Sequence, residues 1–193
     1  LLTTGAASSA DELPYAQALE IAAHQHRWPV HFAALASATG PTPNVYALMQ
    51  ACEAVLLTSV QEGFGLPYLE AAMVKRPLLA RAVPAVLPDL RRMGFRFPQL
   101  YEDIRVPTAW FNWPAELRRQ RQLFVRWRQQ LPPRLRSHEA LQPFWEAEPV
   151  PDQVPFSSLT LTGQLEILAR DPEESWAACA PCNPWLPLWR HRV

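Results

Sequence analysis

The chain has 193 residues, 49% of them hydrophobic, enough to fill the core of a good-sized domain and unlike the composition of a disordered segment. Eighteen basic residues balance eighteen acidic ones, so no global field selects nucleic acid or an anionic surface as partner. No run of eighteen apolar residues occurs, so no transmembrane helix is readable, and three scattered cysteines cannot build a disulfide framework.

Leu1-Leu2-Thr3-Thr4-Gly5 reads as a strand entering a turn, with no Met and no signal peptide before it; the expectation is a piece of a longer protein, cut inside a domain. Residues 11–27 place Leu13, Ala16, Leu19, Ala22 and Ala23 on one helical face, with Pro14 near the start and Trp28-Pro29 as the stop. Val30-His31-Phe32-Ala33 is a short second strand, and Gly40-Pro41-Thr42-Pro43-Asn44 a loop whose last residue suits the cap of a helix over 45–53. Val55-Leu56-Leu57 is too short an apolar run for a helix and predicts a buried strand at 54–58. In the next stretch, Gln61-Glu62-Gly63-Phe64-Gly65-Leu66-Pro67-Tyr68-Leu69-Glu70, two glycines one residue apart suit a loop that takes positive φ or lets a ligand come close to the backbone. Pro67 suits the first position of a helix that runs to Val74, and Pro77-Leu78-Leu79-Ala80 is a further strand. Alternation of this kind predicts a Rossmann-like, doubly wound parallel sheet over residues 1–96, with ligands outside the carboxyl ends of its strands.

A strand, a glycine loop and a helix start form a natural seat for an anion, because the first amides of the helix are free and its dipole is positive there. Glu62 on the loop and Glu70 in the expected first helical turn cannot hold phosphate, but they accept hydrogen bonds from hydroxyls. A ligand that is part phosphate and part polyol fits both halves.

The string Glu62-Gly63-Phe64-Gly65-Leu66-Pro67, with Glu70 eight positions after Glu62 and Ala71-Ala72 following, resembles the E-x7-E signature of retaining GT-B glycosyltransferases, especially the large family 4 type, in their C-terminal donor-binding half. The resemblance covers about the first 90 residues, and 157–166 is similar, less specifically, to the closing helix of some of these enzymes. It implies a nucleoside diphosphate sugar as substrate, bound by Glu62, Gly63, Phe64, Gly65, Leu66 and Glu70. Glu70 would take the ribose hydroxyls. Glu62 would be the catalytic contact on the transferred sugar, and the glycine-loop backbone would meet sugar and diphosphate. Residues 32–35 would hold the base through backbone groups. It also implies no metal and no cofactor, an acceptor-binding N-terminal domain elsewhere in the same protein, and a cytoplasmic location. The family's basic pair for the diphosphate falls upstream of Leu1. Lys75 stands where the family usually has a glycine, at a helix C-terminus. Lys75 and Arg76 read as a dipole-matched last turn rather than as phosphate ligands, and Arg81 is likewise not favoured in that role.

The remainder reads as a Pro/Trp/Arg-rich helical extension over 97–170 and an irregular tail over 171–193. Residues 97–193 hold 13 of the 21 prolines, which predicts sparse and interrupted structure. Residues 114–131 are an exception, with Leu117, Phe124, Trp127 and Leu131 as an apolar stripe, and 158–170 predicts one more helix. Seven arginines and no acid lie between 117 and 136, from Arg118 to Arg136. The favoured reading is a solvated face whose arginine stems cover apolar neighbours; the alternative is a peripheral membrane contact, with nucleic acid disfavoured. For the chain as a whole the alternative to a transferase is a non-catalytic module that binds a nucleotide sugar in the crevice or docks on an anionic surface through the arginine helix. Cys179-Ala180-Pro181-Cys182 has the spacing of a metal or redox pair but lacks two further ligands and the strand-to-helix setting, and reads as reduced thiols. His24, His26 and His31 have no metal-ligand spacing.

Overall fold

The computed structural model describes residues 1–3, 10, 12–35, 44–136 and 150–190. The chain forms two compact units, Leu1–Asp103 with Trp185–Val193, and Ile104–Pro184.

The first unit contains α1 (Leu13–His26), α2 (Val45–Ala51), β1 (Val55–Leu57), α3 (Leu66–Met73), β2 (Leu78–Arg81), α4 (Leu87–Arg92) and β3 (Leu100–Tyr101). The three strands lie side by side in chain order, all parallel, with Leu57 opposite Ala80 and Ala80 opposite Leu100. Parallel neighbours need a crossover, and α3 and α4 supply the two. Leu57, Tyr68, Ala80, Val83, Val86, Leu87 and Leu90 are buried together between sheet and helices. This is a mixed α/β unit with a small parallel sheet. The expected strands at 1–5 and 30–33 meet only as one isolated parallel bridge, Leu2 to His31; residues 4–9 lie outside the described ones, as does most of the 40–44 loop. Thr3 still pins the second segment, accepting from the Ala33 amide at 2.8 Å through its hydroxyl and from the Ala34 amide at 2.8 Å through its carbonyl.

Capping chemistry sets the helix ends. The Asn44 side chain accepts from the Ala47 amide at 2.7 Å and starts α2, as expected from sequence. After α3, the Arg76 amide donates to the Ala71 carbonyl and the Lys75 amide to the Ala72 carbonyl, the paired bonds of a Schellman turn, with Lys75 at φ 56°. Glycine fills the equivalent place after α4, where Gly94 has φ 92°. Lys75→Gly is therefore expected to raise stability by about 0.5–1 kcal/mol, because it removes a side chain from a left-handed position. A denaturation midpoint that does not rise would count against this.

The second unit contains β4 (Arg105–Pro107), α5 (Trp113–Gln130), α6 (Pro133–Arg136), β5 (Gln153–Pro155), α7 (Leu161–Leu168) and α8 (Pro172–Cys179). β4 and β5 pair antiparallel with Val106 opposite Val154, and both valines join Phe111, Leu159, Ile167 and Cys179 in a second core. Asn183, fully buried, treats Arg105 as a strand partner would. Its Oδ1 accepts from the Arg105 amide at 2.8 Å, and its Nδ2 donates to the Arg105 carbonyl at 2.7 Å and to the Cys179 carbonyl at 2.8 Å. Glu116, only 1% exposed, is the polar centre of the unit. Its carboxylate accepts from the Thr160 amide at 2.6 Å, the Thr160 hydroxyl at 2.7 Å, Gln120 at 2.8 Å and Arg119 at 2.9 Å. Arg119 also reaches Glu166 at 3.0 Å.

The tail differs from the irregular stretch expected after 171. It forms α8 and then α9 (Leu186–Arg190), the latter belonging to the first unit, where Trp185 and Trp189 lie against Tyr101 at ring distances of 5.3 and 5.7 Å. The prolines do not interrupt these helices because they occupy first turns: Pro114 in α5 and Pro172 in α8, the second capped by Asp171 accepting from the Glu173 and Glu174 amides. The helix expected over 158–170 begins only at Leu161, since Thr160 turns its hydroxyl onto the Gly163 amide as a cap. The first unit extends to Asp103 rather than closing near 96, because β3 hydrogen-bonds β2 through the Ala80 amide to Gln99 and the Ala82 amide to Tyr101.

Candidate functional site

The glycine loop lies at the carboxyl end of a parallel strand, between β1 and α3. Gly65 is the residue that turns the chain into the helix. It has φ 70°, its carbonyl accepts from the Tyr68 amide at 3.1 Å, and a Cβ placed on it would stand 2.2 Å from Val86 Cγ1. Glycine is required there twice over, by left-handed backbone and by the close approach of Val86. Gly63 differs: nothing lies within 4 Å of the place its Cβ would take. Phe64 projects into solvent, 87% exposed, and Leu66 is exposed as well. The amides of Gly63, Phe64 and Gly65 donate to no described residue.

Glu62 and Glu70 are both half-buried, and neither carboxylate forms a hydrogen bond or ion pair with a described residue. Glu70 is the fifth residue of α3, not part of its first turn, because the helix starts at Leu66, one residue before Pro67. The charge of Glu62 is felt at Tyr68 on α3. Burial pushes the Tyr68 hydroxyl above its ordinary range, the hydrogen bond from the Val83 amide acts against this, and the charge of Glu62 adds to the rise. Tyr68, wholly buried, donates its hydroxyl hydrogen to the Arg81 carbonyl and accepts from Val83 at 3.3 Å, which fixes α3 against the end of β2.

The cation nearest this edge in sequence is Arg81. It closes β2, and its guanidinium spans all three strand ends: Nε donates to the Thr58 carbonyl at 3.3 Å, and Nη1 to the Glu102 carbonyl at 2.8 Å and to Asp103 at 3.0 Å. It also sits over the Tyr101 ring at 5.5 Å. Arg81 is thus committed to the sheet. Arg76 donates to the Gln50 carbonyl at the end of α2, and Lys75 occupies the left-handed turn, so neither is set at the loop. The position of Arg81 immediately after a predicted strand was visible in sequence; Asp103, its partner, was not, because β3 is two residues long and carries no periodicity.

A separate open depression of about 990 Å3 lies beside α1, lined in part by His24, Arg27, Trp28, His31, Phe32 and Ala34. None of its lining residues belongs to the glycine loop. Among the described residues no group of three or more His, Cys, Asp or Glu side chains is placed to hold a metal ion, and no helix is long and apolar enough to cross a membrane. Cys179 and Cys182 are free thiols; burial, with a smaller contribution from Cys182, pushes Cys179 up and so disfavours the reactive thiolate.

Comparison with protein-family models, with curated proteins and with solved structures gives no match.

Proposed function

We propose that the first unit is the donor-binding portion of a retaining GT-B glycosyltransferase, a Rossmann-like domain that takes a nucleoside diphosphate sugar and works with an acceptor domain of the same protein in the cytoplasm. The observation that carries the reading is the loop itself: three amides that donate to no described residue at the carboxyl edge of a parallel sheet, with Glu62 before them and Glu70 on the helix that follows, neither carboxylate bound to a described residue. Amides at a helix start stabilise the negative charge that grows on a leaving diphosphate. Glu62 accepts hydrogen bonds from the transferred sugar, and Glu70 from the ribose. The base lies near residues 32–35, two of which line the open depression. The reaction moves the glycosyl unit to an acceptor hydroxyl with retention at the anomeric carbon, and calls for no metal. These 193 residues alone bind the donor weakly and do not turn it over, since the acceptor half and the basic diphosphate clamp are not among them.

Calorimetric titration of the chain with uridine, guanosine and adenosine diphosphate sugars tests this. One of the three is expected to bind, and Glu70→Ala to weaken it by about 10- to 100-fold, the worth of hydrogen bonds to a charged group. Binding by none of them, or equal binding by Glu70→Ala, ends the assignment. A second reading, a non-catalytic module docking on an anionic surface, draws on α5 and is independent of the loop.

A further inference from the structure

We propose that the distal half of α5, with α6, is a docking surface for an anionic phospholipid bilayer. The helix is 18 residues long, and its first two turns are held in the second unit by Glu116, Leu117, Arg119 and Gln120. Beyond Gln120 the apolar residues continue and several of them are exposed. Leu123 is 50% exposed and Trp127 46%, and the ring of Phe124 meets that of Trp127 at 5.7 Å. Leu135 of α6 is 42% exposed. Arginine stems were expected to cover the stripe of Leu117, Phe124, Trp127 and Leu131; Phe124 and Leu131 are half-buried, and Trp127 is exposed.

Among the described residues of α5 and α6 beyond Glu116, every charge is positive. Arg118, Arg121, Arg126 and Arg134 are exposed and form no ion pair with a described residue, and residues 117–136 contain no acid. Of the other arginines in this stretch, Arg119 is neutralised, by Glu116 and Glu166. Arg128 and Arg136 are folded onto backbone, donating to the Arg136 and Leu131 carbonyls, which draws α6 back toward the end of α5. A helix that is mostly polar, with an aromatic and leucine stripe on one side and arginines on the other, lies flat in a membrane interface. The rings enter the head-group boundary and the guanidinium groups meet phosphate. Charge complementarity commits the occupant to anionic lipid. Nucleic acid would use the arginines but would leave the Leu123, Trp127 and Leu135 stripe in water.

The test is co-sedimentation of the full chain with vesicles of phosphatidylcholine alone and of phosphatidylcholine with phosphatidylglycerol, at low and high salt. Binding is expected to the anionic vesicles only, and to weaken with salt. The triple variant Arg118→Gln, Arg121→Gln, Arg126→Gln is expected to lose on the order of a hundredfold in affinity. Trp127→Ser is expected to reduce binding without changing its salt dependence. All four positions are solvent-exposed, so the variants keep the fold, and circular dichroism checks that. The proposal is overturned by equal binding to neutral vesicles, by no binding to anionic ones, by variants that bind as the parent does, or by duplex RNA displacing the chain from the vesicles. Donor titration reads the other unit, so the two readings fail separately.

Discussion

Glu116→Ala is expected to destabilise the second unit by about 3–5 kcal/mol, the range for removing one member of a buried, hydrogen-bonded ion pair. The carboxylate is where α5 meets the cap of α7. It takes the Thr160 amide and hydroxyl, and it stands so close to Gly163 that a Cβ there would come within 2.6 Å of Glu116 Oε2. Removing it leaves Arg119 with Glu166 alone and leaves two Thr160 donors without their acceptor. The first measurement is urea unfolding, and the second is hydrogen exchange at α5 and α7 amides, which reports the second unit by itself. Unchanged protection in α7 would refute the assignment.

The same group fixes a pH dependence. Burial pushes Glu116 up, but the hydrogen bonds from Thr160, Gln120 and Arg119 outweigh it and hold the carboxyl below the usual glutamate range. A carboxylate depressed in the folded state contributes stability that is fully present above its unfolded pKa, about 4.3, and is lost as pH falls through the folded value. The second unit is therefore expected to hold its stability from neutral pH down to about 4.3 and to lose this contribution below that. Glu116→Gln should lack this component while keeping the side-chain volume.

Gly65→Ala is expected to cost the first unit about 2–5 kcal/mol, the sum of a backbone and a packing penalty. Left-handed backbone at φ 70° contributes about 1–2 kcal/mol of this for a residue with a Cβ. The rest is overpacking, since the new methyl would overlap Val86 Cγ1 at 2.2 Å in a place closed on the other side by Tyr68. Combining it with Val86→Ala separates the two terms. In the Val86→Ala background the penalty should shrink to the backbone part, a coupling of about 1–3 kcal/mol. No coupling in that cycle would mean that the loop moves away from Val86 at little cost. Gly63→Ala, by contrast, meets no atom within 4 Å and is expected to change stability little, so the two glycines of one motif separate by experiment.

Much of the first unit was legible because its signals are local. Asn44 as a cap, the three-residue strand before the loop, and the helix opened by Pro67 each depend on a few adjacent residues, and each formed within a residue or two of its expected place. Lys75 as a helix end was readable as well, from the helix stop alone. The tail was not legible in this way, because the number of prolines says less than their position: the same residue that breaks a helix interior is favoured in its first turn.

By itself, then, the sequence determined the strand-loop-helix unit, the two glutamates on it and the arginine-rich helix, since periodicity, caps and breakers act over a turn or a pleat. Only the tertiary structure decided what depends on residues far apart. Val86, 21 positions on, makes Gly65 obligatory. Thr160, 44 positions on, makes Glu116 a buried hub rather than a surface charge. Asn183, 78 positions on, completes the edge of β4. The distal part of α5 found no such partner among the described residues, and its stripe stays in solvent for that reason. Burial and pairing are properties of what comes to lie beside a residue, and chain neighbours carry no record of it.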